Sequence, residues 1–292
     1  MNKFRGTGVA LVTPFTSTGE VDTAALRRLV QLQLTGGTDF LVVQGTTGET
    51  PVLSDSEKQL ILETVIDENA GRLPVVLGAG GNYTDGLVKK LGQLDLAGVD
   101  GLLSVSPYYN KPTQEGIYQH FKAVSEATDK DIILYNVPGR TSGNMLAETT
   151  LRLTEFKNVV AMKEASGNME QIMSIIQHAP EGFDVLSGDD ALTIPMISVG
   201  AKGVISVVAN ALPERYTEMV NAALKGDWSL AREQHYALLE ITKLFFAEGN
   251  PAGVKAALKE RGIIGATLRL PLVNVTPELH ADIAHAMRGL LV

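Results

Sequence analysis

Short apolar runs recur along the chain, and each is followed by small polar residues and then by a longer amphipathic stretch. Most intervals between the runs are about 30 residues, which is the length of one βα unit. Strands that alternate with helices pair in parallel. The pattern therefore predicts eight parallel strands, which begin near Val9, Phe40, Val75, Leu102, Ile132, Val159, Val185 and Val204.

The stretches between the runs predict helices, for example over residues 54–69, 86–97 and 114–128. After about Tyr216 the strand signal stops. From there the pattern predicts helices only, over residues 217–224, 229–247, 251–261 and 277–291, with a Gly-Asn-Pro break at 249–251.

Eight βα units predict an α/β fold, a (β/α)8 TIM barrel over residues 1–224, with a helical C-terminal region over residues 225–292. A doubly wound sheet is the alternative, and its dinucleotide-binding form needs a Gly-x-Gly-x-x-Gly turn. Residues 78–83 come nearest to that turn, but Tyr83 stands where the third glycine belongs. The chain also lacks a Walker-type phosphate loop.

Composition narrows the classes of function. Of the 292 residues 45% are hydrophobic and 20% are charged, a globular profile, and the net charge of −8 disfavours nucleic acid as a partner. The chain has no cysteine, which excludes disulfides, thiolate catalysis and iron–sulfur clusters. It shows neither an apolar signal segment at residue 1 nor a run long enough to cross a membrane. We therefore expect a cytoplasmic protein.

A lysine, Lys163, ends the apolar run that begins at Val159. With the two-residue period of a strand, Val159, Ala161 and Lys163 are predicted to share one face. An amine withdrawn from water in this way can attack a carbonyl carbon. A lysine that extends along apolar surface to reach solvent fits the same pattern, so this residue alone leaves both interpretations open.

In a barrel of this type, the loops after the strand C-termini build the active site. Residues 45–48 (Gly-Thr-Thr-Gly) offer N–H groups and two hydroxyls to a small carboxylate, but also fit an ordinary threonine-capped turn. Tyr135 can relay a proton or can simply lie in the core. Arg140 suits a substrate carboxylate or a surface ion pair. The tyrosines at 108–109 fit an interface, or one buried and one exposed ring.

Two absences narrow the chemistry further. The five histidines fall in predicted helices or at helix ends, whereas a zinc-dependent aldolase needs them in the strand-end loops. Asp189 and Asp190 follow the seventh run, where many barrels bind phosphate, and two carboxylates there would repel it. We expect one of the two aspartates to cap a helix, and we favour this role over binding of magnesium.

A lysine amine among tyrosines, with carboxylate-binding donors nearby, fits Schiff-base chemistry on a 2-keto acid. The amine adds to the keto carbon and water leaves. The resulting iminium withdraws electrons, so a neighbouring carbon loses a proton and becomes a nucleophilic enamine.

Four motifs together resemble the dihydrodipicolinate synthase family, within the pyruvate-dependent N-acetylneuraminate lyase-like superfamily. They are residues 45–49 (Gly-Thr-Thr-Gly-Glu), 108–112 (Tyr-Tyr-Asn-Lys-Pro), 135–140 (Tyr-Asn-Val-Pro-Gly-Arg) and 163–165 (Lys-Glu-Ala). The likeness covers essentially the whole chain. It implies condensation of pyruvate with aspartate semialdehyde on the path to diaminopimelate and lysine, without a cofactor or metal.

The resemblance also implies a role for each catalytic residue. Lys163 would form the Schiff base with pyruvate. Tyr135 would deliver and take protons, and Thr46 and Tyr109 would complete the relay. In the family the residue matching Tyr109 reaches the neighbouring subunit's site, so a dimer is the smallest expected unit and a homotetramer, a dimer of dimers, is usual.

Substrate binding is implied in the same way. Thr47 would hold the pyruvate carboxylate, Arg140 would bind the semialdehyde carboxylate, and the main chain at Gly188 and Ile205 would line the pocket. Sialic-acid lyases, the nearest alternative, usually carry Gly-Ser-Thr-Gly-Glu and lack this arginine. A non-catalytic ligand sensor is a second alternative, which retention of the lysine, tyrosines and threonine disfavours.

One departure from the family concerns feedback inhibition. Lysine-inhibited members line an interface pocket with histidine and glutamate. Tyr108 and Asn82 match that pocket, but Asp55, Lys58 and Gly86 stand in place of the histidines and the glutamate. Loss of a carboxylate and gain of a cation predict weak or absent inhibition by lysine.

Overall fold

The structure, a computed structural model, describes residues 3–291. Eight parallel strands close in chain order into a barrel, which confirms the predicted (β/α)8 fold. Each predicted apolar run forms one strand. The strands are β1 Gly6–Ala10, β2 Phe40–Val43, β3 Val75–Gly78, β4 Gly101–Val105, β5 Asp131–Asn136, β6 Val159–Glu164, β7 Asp184–Ser187 and β8 Gly203–Ser206.

Helices alternate with the strands and then continue alone to the C-terminus, as predicted. They are α1 Thr23–Thr35, α2 Asp55–Asn69, α3 Thr84–Leu91, α4 Gln114–Glu126, α5 Pro138–Thr141, α6 Ala147–Leu153, α7 Met169–His178, α8 Thr193–Ser198, α9 Pro213–Leu224, α10 Trp228–Phe246, α11 Ala252–Glu260 and α12 Pro277–Leu290. Short 3-10 helices follow three of the strands, at Thr46–Gly48, Thr50–Val52, Asp190–Leu192 and Val208–Asn210.

The helix predicted over residues 86–97 is wrong at both ends. The observed α3 begins at Thr84 and ends at Leu91, with Gly92 at its C-terminal cap. Glycine loses more conformational freedom in a helix than other residues do, so the helix ends where Gly92 occurs. The segment that follows turns toward β4 instead of continuing the amphipathic pattern.

Side chains inside the barrel form a core of their own, separate from the larger core between barrel and helices. Near the N-terminal ends of the strands, the rings of Phe4 and Phe40 meet edge to face with centroids 5.8 Å apart. Gly8 and Gly101 leave room for them, because a Cβ at either glycine would lie within 3 Å of a ring. Aromatic packing therefore fills this end of the barrel, and the opposite rim carries the strand-end loops.

The face assigned to Val159 is wrong. Ala161 packs in the barrel interior, but Val159 belongs to the outer core. The pairing of β5 with β6 changes register between Ile132 and Ile133, so β6 carries one extra residue there. Such an irregularity reverses the alternation of faces. The faces predicted for Ala161 and Lys163 are unaffected.

The C-terminal helices pack on the barrel and on one another. Helix α10 lies against α9, and α12 lies against both α10 and α11. The division of the chain into residues 1–224 and 225–292 falls at the end of α9 and stays a prediction. Within residues 3–291, no helix combines the length and apolar character needed to cross a bilayer.

Candidate active site

Lys163 and Tyr135 lie side by side near the C-terminal ends of β6 and β5. They are register partners in the two strands, and the lysine Nζ lies 4.4 Å from the centroid of the tyrosine ring. Tyr135 belongs to the barrel interior, and Lys163 is only 5% exposed. The lysine therefore does not extend along the surface into solvent. Its amine lies inside the barrel against an aromatic ring.

Lys163 has no carboxylate partner within residues 3–291, which sets it apart from the other deeply buried lysine, Lys255. A buried ammonium is normally paired, because desolvation of an isolated charge is costly. An unpaired amine in such a position suits chemistry that needs its lone pair.

Behind the lysine–tyrosine pair, the next residues of the same two strands form a buried polar network. The Asn136 Nδ2 donates to Glu164 Oε2 over 3.1 Å, and the Ser166 backbone N–H donates to Glu164 Oε1 over 2.7 Å. Burial raises the pKa of Glu164, and these hydrogen bonds partly offset that effect. The Asn136 Oδ1 accepts from the Met145 N–H, which fixes the far end of the loop that carries Arg140.

Gly188 supplies the space that the Lys163 side chain occupies. Its N–H donates to the Glu164 carbonyl over 2.7 Å, which holds the end of β7 against β6. A Cβ at Gly188 would lie 2.8 Å from Ala165 Cβ and 3.0 Å from Lys163 Cγ. Ile205 lies in the same interior cluster and is almost fully buried. Of the two residues predicted to line the pocket, Gly188 thus adjoins the Lys163 side chain, and Ile205 belongs to the barrel interior.

The threonine loop after β2 forms a 3-10 helix at Thr46–Gly48. Its two threonines differ in environment, because Thr46 is exposed whereas Thr47 is 2% exposed. The Thr47 Oγ1 accepts a hydrogen bond from Asn250 Nδ2 over 2.9 Å. The Gly48 carbonyl accepts from Thr13 Oγ1 over 2.7 Å, which ties the loop to the segment after β1.

Sequence reasoning missed Lys255 and Asn250 as contributors to this site. The fully buried Lys255, on α11, forms an ion pair with the fully buried Glu49 at the end of the threonine loop. Its Nζ also donates to the Thr267 carbonyl over 2.9 Å and lies 4.4 Å from the centroid of the Phe15 ring. Burial lowers the pKa of Lys255 to about 8, and the negative charge of Glu49 partly offsets this effect by raising the pKa. The available signal was a charge with three small or apolar residues on each side, at 252–254 and 256–258.

Arg140 and Tyr109 both lie at the surface of the isolated chain. Arg140 lies in the short helix α5, and its guanidinium has no hydrogen bond or ion pair within the described residues. Tyr109 is 87% exposed and has a φ of 72°, a conformation that L-residues rarely adopt. Its loop is held by a 3.1 Å hydrogen bond from Asn82 Nδ2 to the Tyr108 carbonyl. The structure does not bring Tyr109 into contact with Lys163.

The two aspartates after β7 have structural partners. The Asp189 Oδ1 caps the following 3-10 helix by accepting from the Ala191 N–H over 3.0 Å, which confirms the expected capping role. Asp190 is buried, and its carboxylate accepts from the Val207 N–H over 3.0 Å and from the Ser206 hydroxyl. Burial raises the pKa of Asp190. Both carboxylates thus accept hydrogen bonds from groups of the same chain.

Comparison with known proteins agrees with this geometry. The model of the dihydrodipicolinate synthetase family matches residues 3–289. The chain is 51% identical over 289 residues to the 4-hydroxy-tetrahydrodipicolinate synthase of Parabacteroides distasonis, which covers 99% of this chain and 97% of that protein. It is also similar to dihydrodipicolinate synthase from Aquifex aeolicus, at 44% identity and a TM-score of 0.94, with 98% of each chain covered. The chloride-inhibited Acinetobacter baumannii enzyme, complexed with pyruvate, matches at 36% identity and a TM-score of 0.95, with 98% of this chain and 99% of that chain covered.

Substitution of Gly188 by alanine tests the space around the lysine. The added Cβ would force Lys163 or Ala165 to move, and a displacement of about 1 Å can cost on the order of 100-fold in rate. We expect Gly188→Ala to slow borohydride trapping of pyruvate on Lys163 by about that factor. Gly81→Ala is the control, because a Cβ at Gly81 meets no atom within 4 Å. Equal trapping rates in the two variants would contradict this role of Gly188.

Proposed function

Because the chain belongs to the dihydrodipicolinate synthetase family, we propose that it condenses pyruvate with L-aspartate 4-semialdehyde to 4-hydroxy-tetrahydrodipicolinate. It is then a lyase of diaminopimelate and lysine biosynthesis. The observation that carries the proposal is the buried, unpaired Lys163 amine against Tyr135 at the catalytic rim of the barrel. We place the enzyme in the cytoplasm, together with the pathway it serves.

In the first half-reaction the Lys163 amine attacks the keto carbon of pyruvate. A tetrahedral carbinolamine forms, the former carbonyl oxygen takes up protons, and it leaves as water to give the iminium. Tyr135 is the proton carrier in this proposal, since its phenol can both donate and accept and its ring adjoins the amine. Loss of a methyl proton then gives the enamine, which attacks the aldehyde carbon of the second substrate.

The pyruvate carboxylate needs hydrogen-bond donors, and the threonine loop supplies them. Thr47 is buried, and its hydroxyl accepts from Asn250, so the hydroxyl hydrogen stays available to an incoming anion. Backbone N–H groups at the start of a 3-10 turn add to the donor set. Gly188 and Ile205 complete the wall around the keto carbon.

Arg140 is proposed to select the second substrate. An exposed guanidinium without a partner in the described chain matches a carboxylate that arrives from solvent. Aspartate semialdehyde carries such a carboxylate on the arm away from the aldehyde. A sugar aldehyde presents hydroxyl groups there instead, which makes a sialic-acid lyase the weaker alternative.

We propose a homo-oligomer in which Tyr109 acts in the site of a neighbouring subunit. A dimer is the smallest unit that allows this, and we propose a tetramer built from two such dimers. The support is the uncommon φ of Tyr109 together with its high exposure in the single chain. Surrounding structure must hold such a conformation, and an exposed aromatic side chain favours an interface. Thr46, exposed at the same rim, would join Tyr109 and Tyr135 in the proton relay.

Borohydride reduction with pyruvate tests the proposed Schiff base. Reduction of the iminium should leave Lys163 heavier by one pyruvate less one oxygen atom, and peptide mapping by mass spectrometry locates the adduct. Lys163→Ala should show no adduct and no condensation activity. An adduct on Lys255 or Lys111, or none in the unsubstituted protein, would refute the mechanism.

Substitution of Arg140 by glutamine tests the choice of second substrate. Hydrogen bonds to a charged group contribute about 1.5–3 kcal/mol, so the KM for aspartate semialdehyde should rise by roughly 10- to 100-fold. The KM for pyruvate should not change. Arg152→Gln is the matched control, since Arg152 is an exposed arginine that pairs with Glu115 over 3.1 Å. Turnover of a sugar aldehyde in place of the semialdehyde by the unsubstituted protein would favour the sialic-acid lyase alternative.

Lysine should inhibit weakly or not at all. Lys58 and Lys90 both lie against Asp55, at 3.6 and 3.0 Å, and chiefly the hydrogen bond from Lys90 lowers the pKa of Asp55. The carboxylate is thus already paired, and two ammonium groups stand where a lysine effector would bring a third. Enzyme assays with added lysine check this expectation. Inhibition at sub-millimolar concentration would show that it is wrong.

A further inference from the structure

The segment between α10 and α11 reaches the threonine loop from the other end of the chain. Asn250 is 9% exposed, and its Nδ2 donates to Thr47 Oγ1 over 2.9 Å. The two residues are 203 positions apart in sequence. A buried contact of this kind shows that the C-terminal region packs directly against the threonine loop.

The direction of this hydrogen bond determines what the threonine hydroxyl can do. A hydroxyl carries one hydrogen and accepts through its oxygen lone pairs. Because the Asn250 amide donates to Thr47, the hydroxyl hydrogen is not used in that contact. Within residues 3–291, the Thr47 hydroxyl donates to no other group. A carboxylate can only accept, so a hydroxyl held in this way is suited to bind one.

A second contact between the same two segments holds the first in place. Lys255 lies five residues after Asn250, in the first turn of α11, and it pairs in the interior with Glu49, two residues beyond Thr47. The backbone N–H of Arg269 donates to the second oxygen of Glu49 over 3.2 Å. The Thr47–Asn250 and Glu49–Lys255 contacts are both buried. Movement of either segment would separate the Glu49 and Lys255 charges in the interior, where water cannot solvate them. The loop and the C-terminal region are therefore held in one relative position.

We propose that Asn250 is a positioning residue for the pyruvate carboxylate. Its hydrogen bond turns the Thr47 hydroxyl hydrogen toward that carboxylate. The Glu49–Lys255 ion pair holds the two segments in place. The inference rests on the proposed function, since it assumes that pyruvate binds at the threonine loop. Asn250 acts through Thr47 and takes no part in the bonds that form or break. Its removal should therefore weaken pyruvate binding and leave the chemical step almost unchanged.

Steady-state kinetics of Asn250 variants test the proposal. Loss of one directed hydrogen bond corresponds to about tenfold in affinity, so N250L should raise the KM for pyruvate by about that factor. The kcat and the KM for aspartate semialdehyde should stay within about twofold. N250D should raise the KM for pyruvate further, because a carboxylate makes the Thr47 hydroxyl donate to it and also repels the substrate. Should N250L fail to fold, N250A gives the same readout with less change in packing.

A double-mutant cycle distinguishes positioning of the Thr47 hydroxyl by Asn250 from a general disturbance of the structure. T47V should raise the KM for pyruvate by itself, and N250L added to T47V should raise it no further, because the hydroxyl is already gone. N158L is the matched control, since Asn158 donates its Nδ2 to the Ser125 and Thr128 carbonyls near the opposite end of the barrel. Additive effects in the cycle, or an unchanged KM for pyruvate in N250L, would overturn the inference. Failure of the unsubstituted protein to condense the two substrates would instead overturn the proposed function.

Discussion

Closure of the sheet between β1 and β8 is the constraint on which the site depends. Eight parallel strands in a ring bring all their C-terminal ends to one rim, whatever their separation in sequence. Phenylalanine rings pack at the opposite end of the barrel. Register then places Tyr135 directly beside Lys163. No single loop contains all of the candidate residues, and closure of the barrel brings the ends of β5, β6 and β7 together around Lys163.

Two buried lysines in this chain have different surroundings, one suited to a structural role and the other to the proposed chemistry. Lys255 has a carboxylate, a carbonyl oxygen and an aromatic ring around its ammonium group. Lys163 has an aromatic ring and, within the described residues, no acidic partner. The first arrangement stabilises a charge in the interior, and removal of one partner would leave the other unpaired. The second provides no such pairing, which suits the attack on a carbonyl carbon that we propose for Lys163.

The C-terminal helices contribute to the site through the threonine loop. Arg269 extends the same connection, because its guanidinium binds Glu57 at the start of α2 and the carbonyls of Val52 and Gly19. The loop after β2 is thus held from one side by the segment after β1 and from the other by residues that lie more than 200 positions later. A short 3-10 turn is weak by itself, and these contacts hold it in the position that the proposed binding of a small carboxylate requires.

The sequence by itself determined the eight strands, the barrel and the four motifs, since strand and helix periods and strand-end residues are local patterns. It also indicated Lys163, Tyr135, Thr47 and Arg140. Only the tertiary structure decided the face of Val159, the burial of Lys163, and the contacts of Asn250 and Lys255 with the threonine loop. A register change depends on the partner strand, and a contact across 200 residues leaves no periodic trace in the chain. Local patterns specify elements, whereas packing decides which side chains meet.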